Sequence, residues 1–167
     1  MLLTATWVCA APPEATIDQM QTISGRLYLN DRELKAIYEE MHGYAQFTPG
    51  GPDRQLDYIQ KLYLIIGRSR THGYYLWRFL SIFDYLDEAR KNDFLTLYEA
   101  ELRQARDDVR LSIQLIDLYS AFIEKEEIRK TAARAEGILE ANVYMYEKLA
   151  ALIAPYVNPA LPPRRIE

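Results

Sequence analysis

The densest group of side chains suited to ligand binding is a polar segment, residues 67–73, that separates two apolar stretches. It contains Arg68, Arg70 and His72, and Trp77 follows shortly after. If the segment is helical, Arg68 and His72 lie four residues apart on one face, where they could hold a carboxylate or phosphate through charge-assisted hydrogen bonds. The alternative is a polar connection between two helices. A glycine stands at each end of the segment, and this favours the connection.

Tyrosine is frequent, with 13 residues in a chain of 167, so several tyrosines must lie outside the hydrophobic core. Tyrosine combines a large apolar area with a polar tip, and it is enriched where proteins contact one another. A partly buried helix face is an equally good interpretation. The predicted interface residues are those that fall outside the apolar stripes of the chain: Tyr28, Tyr38, Tyr75, Tyr85 and Tyr144.

Metal binding and catalysis find little support in the residue types present. Glu39 and His42 have the Glu-x-x-His spacing of di-iron bundles, but His72 has a serine in the corresponding place, so a second pair is missing. The single cysteine, Cys9, excludes a cysteine zinc cluster and an internal disulfide. Neither a Ser-His-Asp set nor a phosphate-binding glycine loop is present. We therefore predict a non-enzymatic protein without a metal or cofactor.

The balance of charge limits the choice of partner. The chain has 20 basic and 24 acidic residues, a net charge of -4, whereas binding to nucleic acid requires a basic face. No apolar run approaches the roughly 20 residues that span a bilayer. We therefore expect a protein partner or a second copy of the chain, with neither nucleic acid nor a transmembrane segment involved.

The first ten residues, 1–10, are uncharged and mostly apolar, and they resemble the second half of a secretory signal peptide with a cut after Ala10. A frayed terminus is the simpler alternative. The expected location is therefore the cytoplasm or, if the segment is a truncated signal, the periplasm or the exterior.

Proline placement gives the organisation of the chain. Four prolines lie at or before Pro52, four lie at or after Pro155, and none lies in the 102 residues between. Proline breaks helix interiors, so a long stretch without it that is rich in Leu, Ala, Glu, Arg and Lys is helical. We predict an N-terminal segment at 1–13, a helical domain at 14–157 and a proline-rich tail at 158–167.

Apolar residues recur at alternating three- and four-residue steps, which indicates long amphipathic helices. We call each such row of apolar residues along a helix a seam. We predict an all-α, up-and-down bundle of three to five helices, and an elongated, coiled-coil-like form is compatible with these seams. A second apolar stripe from Leu111 to Phe122 predicts that this part of its helix is buried on more than one side.

The helix boundaries are less sharply defined. A break near 25–31, with Asn30 as a helix cap, is slightly favoured over one continuous helix in which Asn30 is a buried seam residue. A later helix is expected to end near 91–93, with Asn92 or Asp93 capping the next one. At 124–128 the seam changes phase, which indicates either a tight turn or a stutter in one long helix.

Two functions fit these features. The first is a helical interaction or assembly subunit, because the seams carry the polar residues Asn30, Ser112 and Asn142 and because tyrosine is abundant. The alternative is a ligand-binding or sensory bundle with an anion site near Arg68, Arg70 and His72.

Overall fold

A computed structural model describes residues 11–47 and 54–157. These residues form four long helices and two short 3-10 helices, with no strand among them, so the predicted all-α fold is confirmed. The long helices are α1 (Glu14–Phe47), α2 (Arg54–Leu80), α3 (Glu88–Ser120) and α4 (Glu126–Ile153), and the 3-10 helices are Phe83–Tyr85 and Ala154–Tyr156.

Each helix packs antiparallel against the next, and α1 packs against α4 to close the ring. Side-chain contacts show the direction. Residue 30 of α1 contacts residue 142 of α4, and residue 40 contacts residue 131, so one helix rises as the other descends. The same holds between α1 and α2, where residue 31 pairs with residue 70 and residue 38 with residue 63. The molecule is an up-and-down four-helix bundle.

The core contains most of the apolar positions predicted for α1, α3 and α4, whereas on α2 it also includes Leu62 and Leu76, which lie outside the predicted stripe. Along α3 and α4 in particular, residues at three- and four-residue steps are almost completely buried, because each seam faces the bundle axis. Core residues from the four helices include Met20, Leu27, Leu34, Ile37, Ile59, Leu62, Ile66, Leu95, Leu102, Val109, Ile116, Ala132, Leu139 and Leu149.

Helix α1 is continuous through 25–31, so the predicted break there is wrong. Gly25 lies inside the helix, where it costs about 1 kcal/mol relative to alanine. Leu27 and Leu34 are completely buried on either side of this region, and their burial outweighs that cost. Asn30 does not cap a helix, because its side chain reaches across to α4.

Helix α2 is also continuous, through 67–73, so the favoured interpretation of this segment as a connection is wrong. Its two glycines lie where α1 approaches most closely. A Cβ atom on Gly67 would stand 2.5 Å from the Tyr38 ring, and one on Gly73 would stand 3.0 Å from the Leu27 carbonyl oxygen. The glycines therefore permit tight helix packing.

The boundary between α2 and α3 differs from expectation, whereas the boundary between α3 and α4 agrees with one of the two expected alternatives. Helix α2 ends at Leu80, well before 91–93, and Asp87 caps α3 by accepting a hydrogen bond from the Arg90 backbone N–H at 3.0 Å. At the phase change, α3 ends at Ser120 and α4 begins at Glu126. The tight-turn interpretation is therefore correct there, and the single long helix is not.

Candidate functional site

Exposed apolar side chains are concentrated in one stretch of the described chain, residues 64–122. Eleven large hydrophobic residues are exposed in the described chain, and nine of them lie between residues 64 and 122, which includes most of α2 and all of α3. Helices α1 and α4 contribute only one each, Leu29 and Tyr144. The nine are Leu64, Tyr74, Tyr75, Ile82, Tyr85, Leu97, Leu111, Leu118 and Phe122.

The C-terminal half of α3 and the turn after it carry three of these residues. We call Leu111, Leu115, Leu118 and Phe122 the α3 stripe. Leu111 is 55% exposed, and Leu118 and Phe122 are each 51% exposed, so the prediction that this half is buried on more than one side is wrong. The stripe is displaced from the buried seam of α3, and a ring of four helices leaves the outward face of each helix uncovered.

Three of the five predicted interface tyrosines are exposed, but they stand on different parts of the surface. Tyr75 is on α2, Tyr85 is in the first 3-10 helix, and Tyr144 is on α4. Tyr144 lines a groove of about 750 Å³ between α1 and α4, where the Lys148 ammonium lies 4.6 Å from its ring centre.

The other two predicted interface tyrosines contact neighbouring helices within the chain. The Tyr28 ring stacks on Trp77, with ring centres 4.4 Å apart. The Tyr38 ring stacks on Tyr63 at 4.5 Å, and the two hydroxyl oxygens are 2.5 Å apart. The side chains of these residues therefore hold α1 against α2.

The four residues of the predicted anion site are divided between two faces of α2. Arg70 and Trp77 face α1, where Arg70 donates to the Asp31 carboxylate at 3.3 Å. Burial raises the pKa of Asp31, although the Arg70 guanidinium opposes this effect. Because Arg70 pairs with a buried carboxylate, its charge is already balanced within the bundle.

His72 lies on the opposite side and faces α3. Its Nε2 atom is 3.7 Å from Asp108 Oδ2, and burial lowers the pKa of the imidazole. His72 also lines a cavity of about 570 Å³ between α2 and α3, which we call the His72 pocket. The other lining residues are Tyr75, Leu76, Arg78, Phe79, Ile82, Glu101, Gln104 and Ala105.

The predicted polar seam residues have different roles. Asn30 Nδ2 donates to Asn142 Oδ1 at 2.7 Å, joining α1 to α4. Ser112 donates to the Asp108 carbonyl oxygen of its own helix. Tyr98 and Tyr146 are almost completely buried, their hydroxyls have no hydrogen-bond partner among the described residues, and burial raises the pKa of both.

Sequence reasoning missed two of these elements. The first is the buried carboxylate of Asp31, which pairs with Arg70. The available signal in the sequence was a charged residue directly beside the seam residue Asn30. The walls of the His72 pocket come from α2 and α3 together, and no local pattern in the sequence reports such a pairing.

Two further properties concern the described residues as a whole. They contain no group of three or more His, Cys, Asp or Glu side chains arranged to hold a metal ion. None of the helices they form is both long and apolar enough to cross a membrane.

The class that these observations define is an all-α, up-and-down four-helix bundle. No protein-family model, curated protein or solved structure matches the chain.

Proposed function

We propose that the protein is a non-enzymatic interaction subunit whose protein partner binds the α2–α3 side of the bundle. One observation carries this proposal: nine of the eleven exposed large hydrophobic residues lie between residues 64 and 122. Single exposed apolar residues are ordinary on protein surfaces, but a concentration on one pair of neighbouring helices and the segments that follow them is typical of a contact surface.

The α3 stripe is the centre of the proposed surface. Leu111, Leu115 and Leu118 follow steps of four and three residues, so they form one row along α3, and Phe122 lies in the turn just beyond the end of the helix at Ser120. Polar residues of the adjacent helix face, Arg110, Gln114 and Asp117, are exposed beside the row. An apolar centre with a polar rim is the usual composition of a protein interface, in which a few central residues supply most of the affinity.

The polar contact between α1 and α4 also supports a contact surface on the α2–α3 side. Asn30 and Asn142 hydrogen-bond to each other inside one chain, so they fix the register of α1 against α4 and are not left for a partner. This favours association through another surface, and three members of the α3 stripe, Leu111, Leu118 and Phe122, are about half exposed.

An anion-binding bundle has weaker support. Arg70 is paired with Asp31, and His72 lies beside the carboxylate of Asp108. These contacts leave little uncompensated positive charge for an anion at that level of the bundle.

The proposal is tested by comparing two double variants with equal numbers of exposed apolar residues removed. Leu111→Ser with Leu118→Ser alters the α3 stripe, whereas Leu29→Ser with Tyr144→Ser alters α1 and α4. Leu111 and Leu118 are 55% and 51% exposed, and Leu29 and Tyr144 are 55% and 57% exposed, so the two double variants are matched in exposure. Neither double variant is expected to change the free energy of unfolding by more than about 0.5 kcal/mol per site.

The measurements are molar mass by light scattering over a range of protein concentrations, and recovery of a complex by affinity purification from cells that produce the protein. We expect the stripe variant to lose self-association or the co-purifying partner while the α1–α4 variant keeps it. Equal retention by both variants would contradict the proposed surface.

A further inference from the structure

The His72 pocket has the size and composition of a small-molecule site. Its volume of about 570 Å³ falls within the roughly 300–1,000 Å³ of typical ligand pockets. Such sites are lined mainly by apolar side chains and contain a few polar groups that orient the ligand.

The walls suit a flat apolar body. Leu76 and Ala105 are 3% exposed and form the base, whereas Tyr75 and Ile82 are 65% and 44% exposed and stand at the mouth. Phe79 forms a further wall. Two aromatic rings and three aliphatic groups around one cavity favour an aromatic guest, because rings pack well against one another when stacked or edge-on.

The Phe79 wall is held in place from behind. Its ring centre lies 4.7 Å from that of Phe94 and 5.8 Å from that of Tyr98, and both of these residues are buried. A side chain locked by packing does not have to be ordered when a ligand binds, so this wall costs little entropy on association.

His72 provides the polar contact. Its side chain is 23% exposed, and burial favours the neutral imidazole, which offers one donor and one acceptor nitrogen. A neutral imidazole can therefore accept from, or donate to, a hydroxyl or a ring N–H.

The charged groups around the pocket balance. Glu101 and Arg78 are on the lining, while Asp108 and Arg68 are close enough to His72 to act on its pKa in opposite directions. Two negative and two positive groups give no net attraction for an anion or a cation.

We propose that the His72 pocket binds an uncharged aromatic molecule whose ring lies against the apolar walls and whose hydroxyl or ring N–H group hydrogen-bonds to His72. The mouth residues Tyr75 and Ile82 also belong to the nine exposed hydrophobic residues of the proposed contact surface. None of the α3 stripe residues lines the pocket, and the pocket is tested on the isolated protein.

The test is a titration of the full-length 15N-labelled protein, followed by NMR, with four named probes. Phenol and indole carry the expected group, toluene matches phenol in shape without the hydroxyl, and benzoate supplies a negative charge. We expect phenol and indole to shift amide resonances of residues 72–82 and 101–105 at millimolar concentration. Toluene should bind roughly tenfold more weakly than phenol, which is the loss of about one hydrogen bond, and benzoate should not bind.

A variant isolates the role of the histidine. His72→Leu should reduce the affinity for phenol to that for toluene and leave toluene unchanged, and His72→Gln should restore part of the difference. His42→Leu, on the exposed histidine of α1, is the matched control and should change neither affinity. The spectrum of each variant without ligand reports whether it is folded.

Four results would overturn the proposal. Benzoate binding as tightly as phenol would indicate an anion site, shifts confined to residues outside the pocket would place the ligand elsewhere, and an absence of shifts with all four probes would exclude binding. A phenol-to-toluene affinity ratio unchanged by His72→Leu would show that the histidine does not bind the polar group.

Discussion

The seam between α1 and α4 is crossed by hydrogen bonds at two levels, whereas aromatic contacts dominate the seam between α2 and α3. In the first seam Asn30 bonds to Asn142 at 2.7 Å, and Glu40 accepts from Thr131 at 2.7 Å and from Arg134 at 3.2 Å. In the second seam, rings pack against one another in two clusters, one toward each end: Phe79, Phe83, Phe94 and Tyr98, and Tyr58, Tyr119 and Phe122.

The difference separates two tasks. Hydrogen bonds are directional, so the α1–α4 seam fixes the relative position of its helices. Apolar contact is not directional, and at the α2–α3 seam it continues from the core to the surface. That seam therefore carries both the proposed contact surface and the His72 pocket.

The largest predicted effect is at the aromatic seam. Tyr98→Ala removes a completely buried ring that contacts Phe79 and Phe94. We expect a loss of about 3–5 kcal/mol in the free energy of unfolding, measured by urea denaturation. Tyr98→Phe keeps the ring and removes a buried hydroxyl without a partner among the described residues, so stability should stay equal or rise. A large loss in the phenylalanine variant would show that the hydroxyl is bonded.

A smaller effect is predicted at the polar seam. Asn142→Ala removes the acceptor for Asn30 and should cost about 1–3 kcal/mol of unfolding free energy. Ser112→Ala is the control, because its hydroxyl bonds only within α3, and it should cost less than about 0.5 kcal/mol. Equal losses in the two variants would mean that the bond between α1 and α4 adds nothing specific.

A third prediction concerns the seam between α1 and α2, where glycine allows the two helices to approach closely. Gly67→Ala places a methyl group 2.5 Å from the Tyr38 ring, and that ring is held by its stacking on Tyr63. We expect a net loss of about 1–2 kcal/mol in thermal or urea unfolding, despite the better helix propensity of alanine. Gly25→Ala meets no atom within 4 Å and should gain about 0.5–1 kcal/mol. A gain at both sites would contradict the close approach of α1 to α2.

The smallest predicted effect is a difference between the α2–α3 and α1–α4 seams in how their contribution to stability depends on pH. Burial lowers the pKa of His72 below its ordinary value of 6.5, so the unfolded chain binds the proton more tightly and stability falls as the pH drops below 6.5. At the other seam, hydrogen bonding from Thr131 lowers the pKa of Glu40 below 4.5, so its contribution is lost only at more acid pH.

Urea denaturation at a series of pH values checks this separation. His72→Gln should remove the fall in stability that begins near pH 6.5 and keep the fall at more acid pH. Glu40→Gln should remove the fall at more acid pH and keep the one that begins near pH 6.5. A change of both limbs by either variant would show that the two seams do not titrate independently.

Much of the fold follows from sequence, because the apolar period reports which face of each helix is buried. The seam of α4 from Ile128 to Ile153 is buried at every predicted apolar position up to Ile153. The paired polar positions Asn30 and Asn142 were also visible as seam members. The breaks were harder to predict, because Gly25 and Gly67 have the same local signature as loop residues.

The candidate sites depend on which helices become neighbours. The stripe from Leu111 to Phe122 has the same period whether another helix covers it or not, so its exposure could not be read from the sequence. Arg68, Arg70 and His72 are close in sequence, yet successive positions on a helix point in different directions. Their separation between the α1 and α3 sides follows from the ring of four helices.

The central claim is that the α2–α3 side binds a protein partner, and site-specific photo-cross-linking in the producing cells tests it most directly. A photoreactive amino acid is placed at position 118 in one variant and at position 29 in another, two exposed sites of similar accessibility. The proposed function predicts a discrete cross-linked species, either a dimer or a heterologous complex, from position 118 and none from position 29. A product from position 29 alone, or equal products from both positions, would contradict the claim.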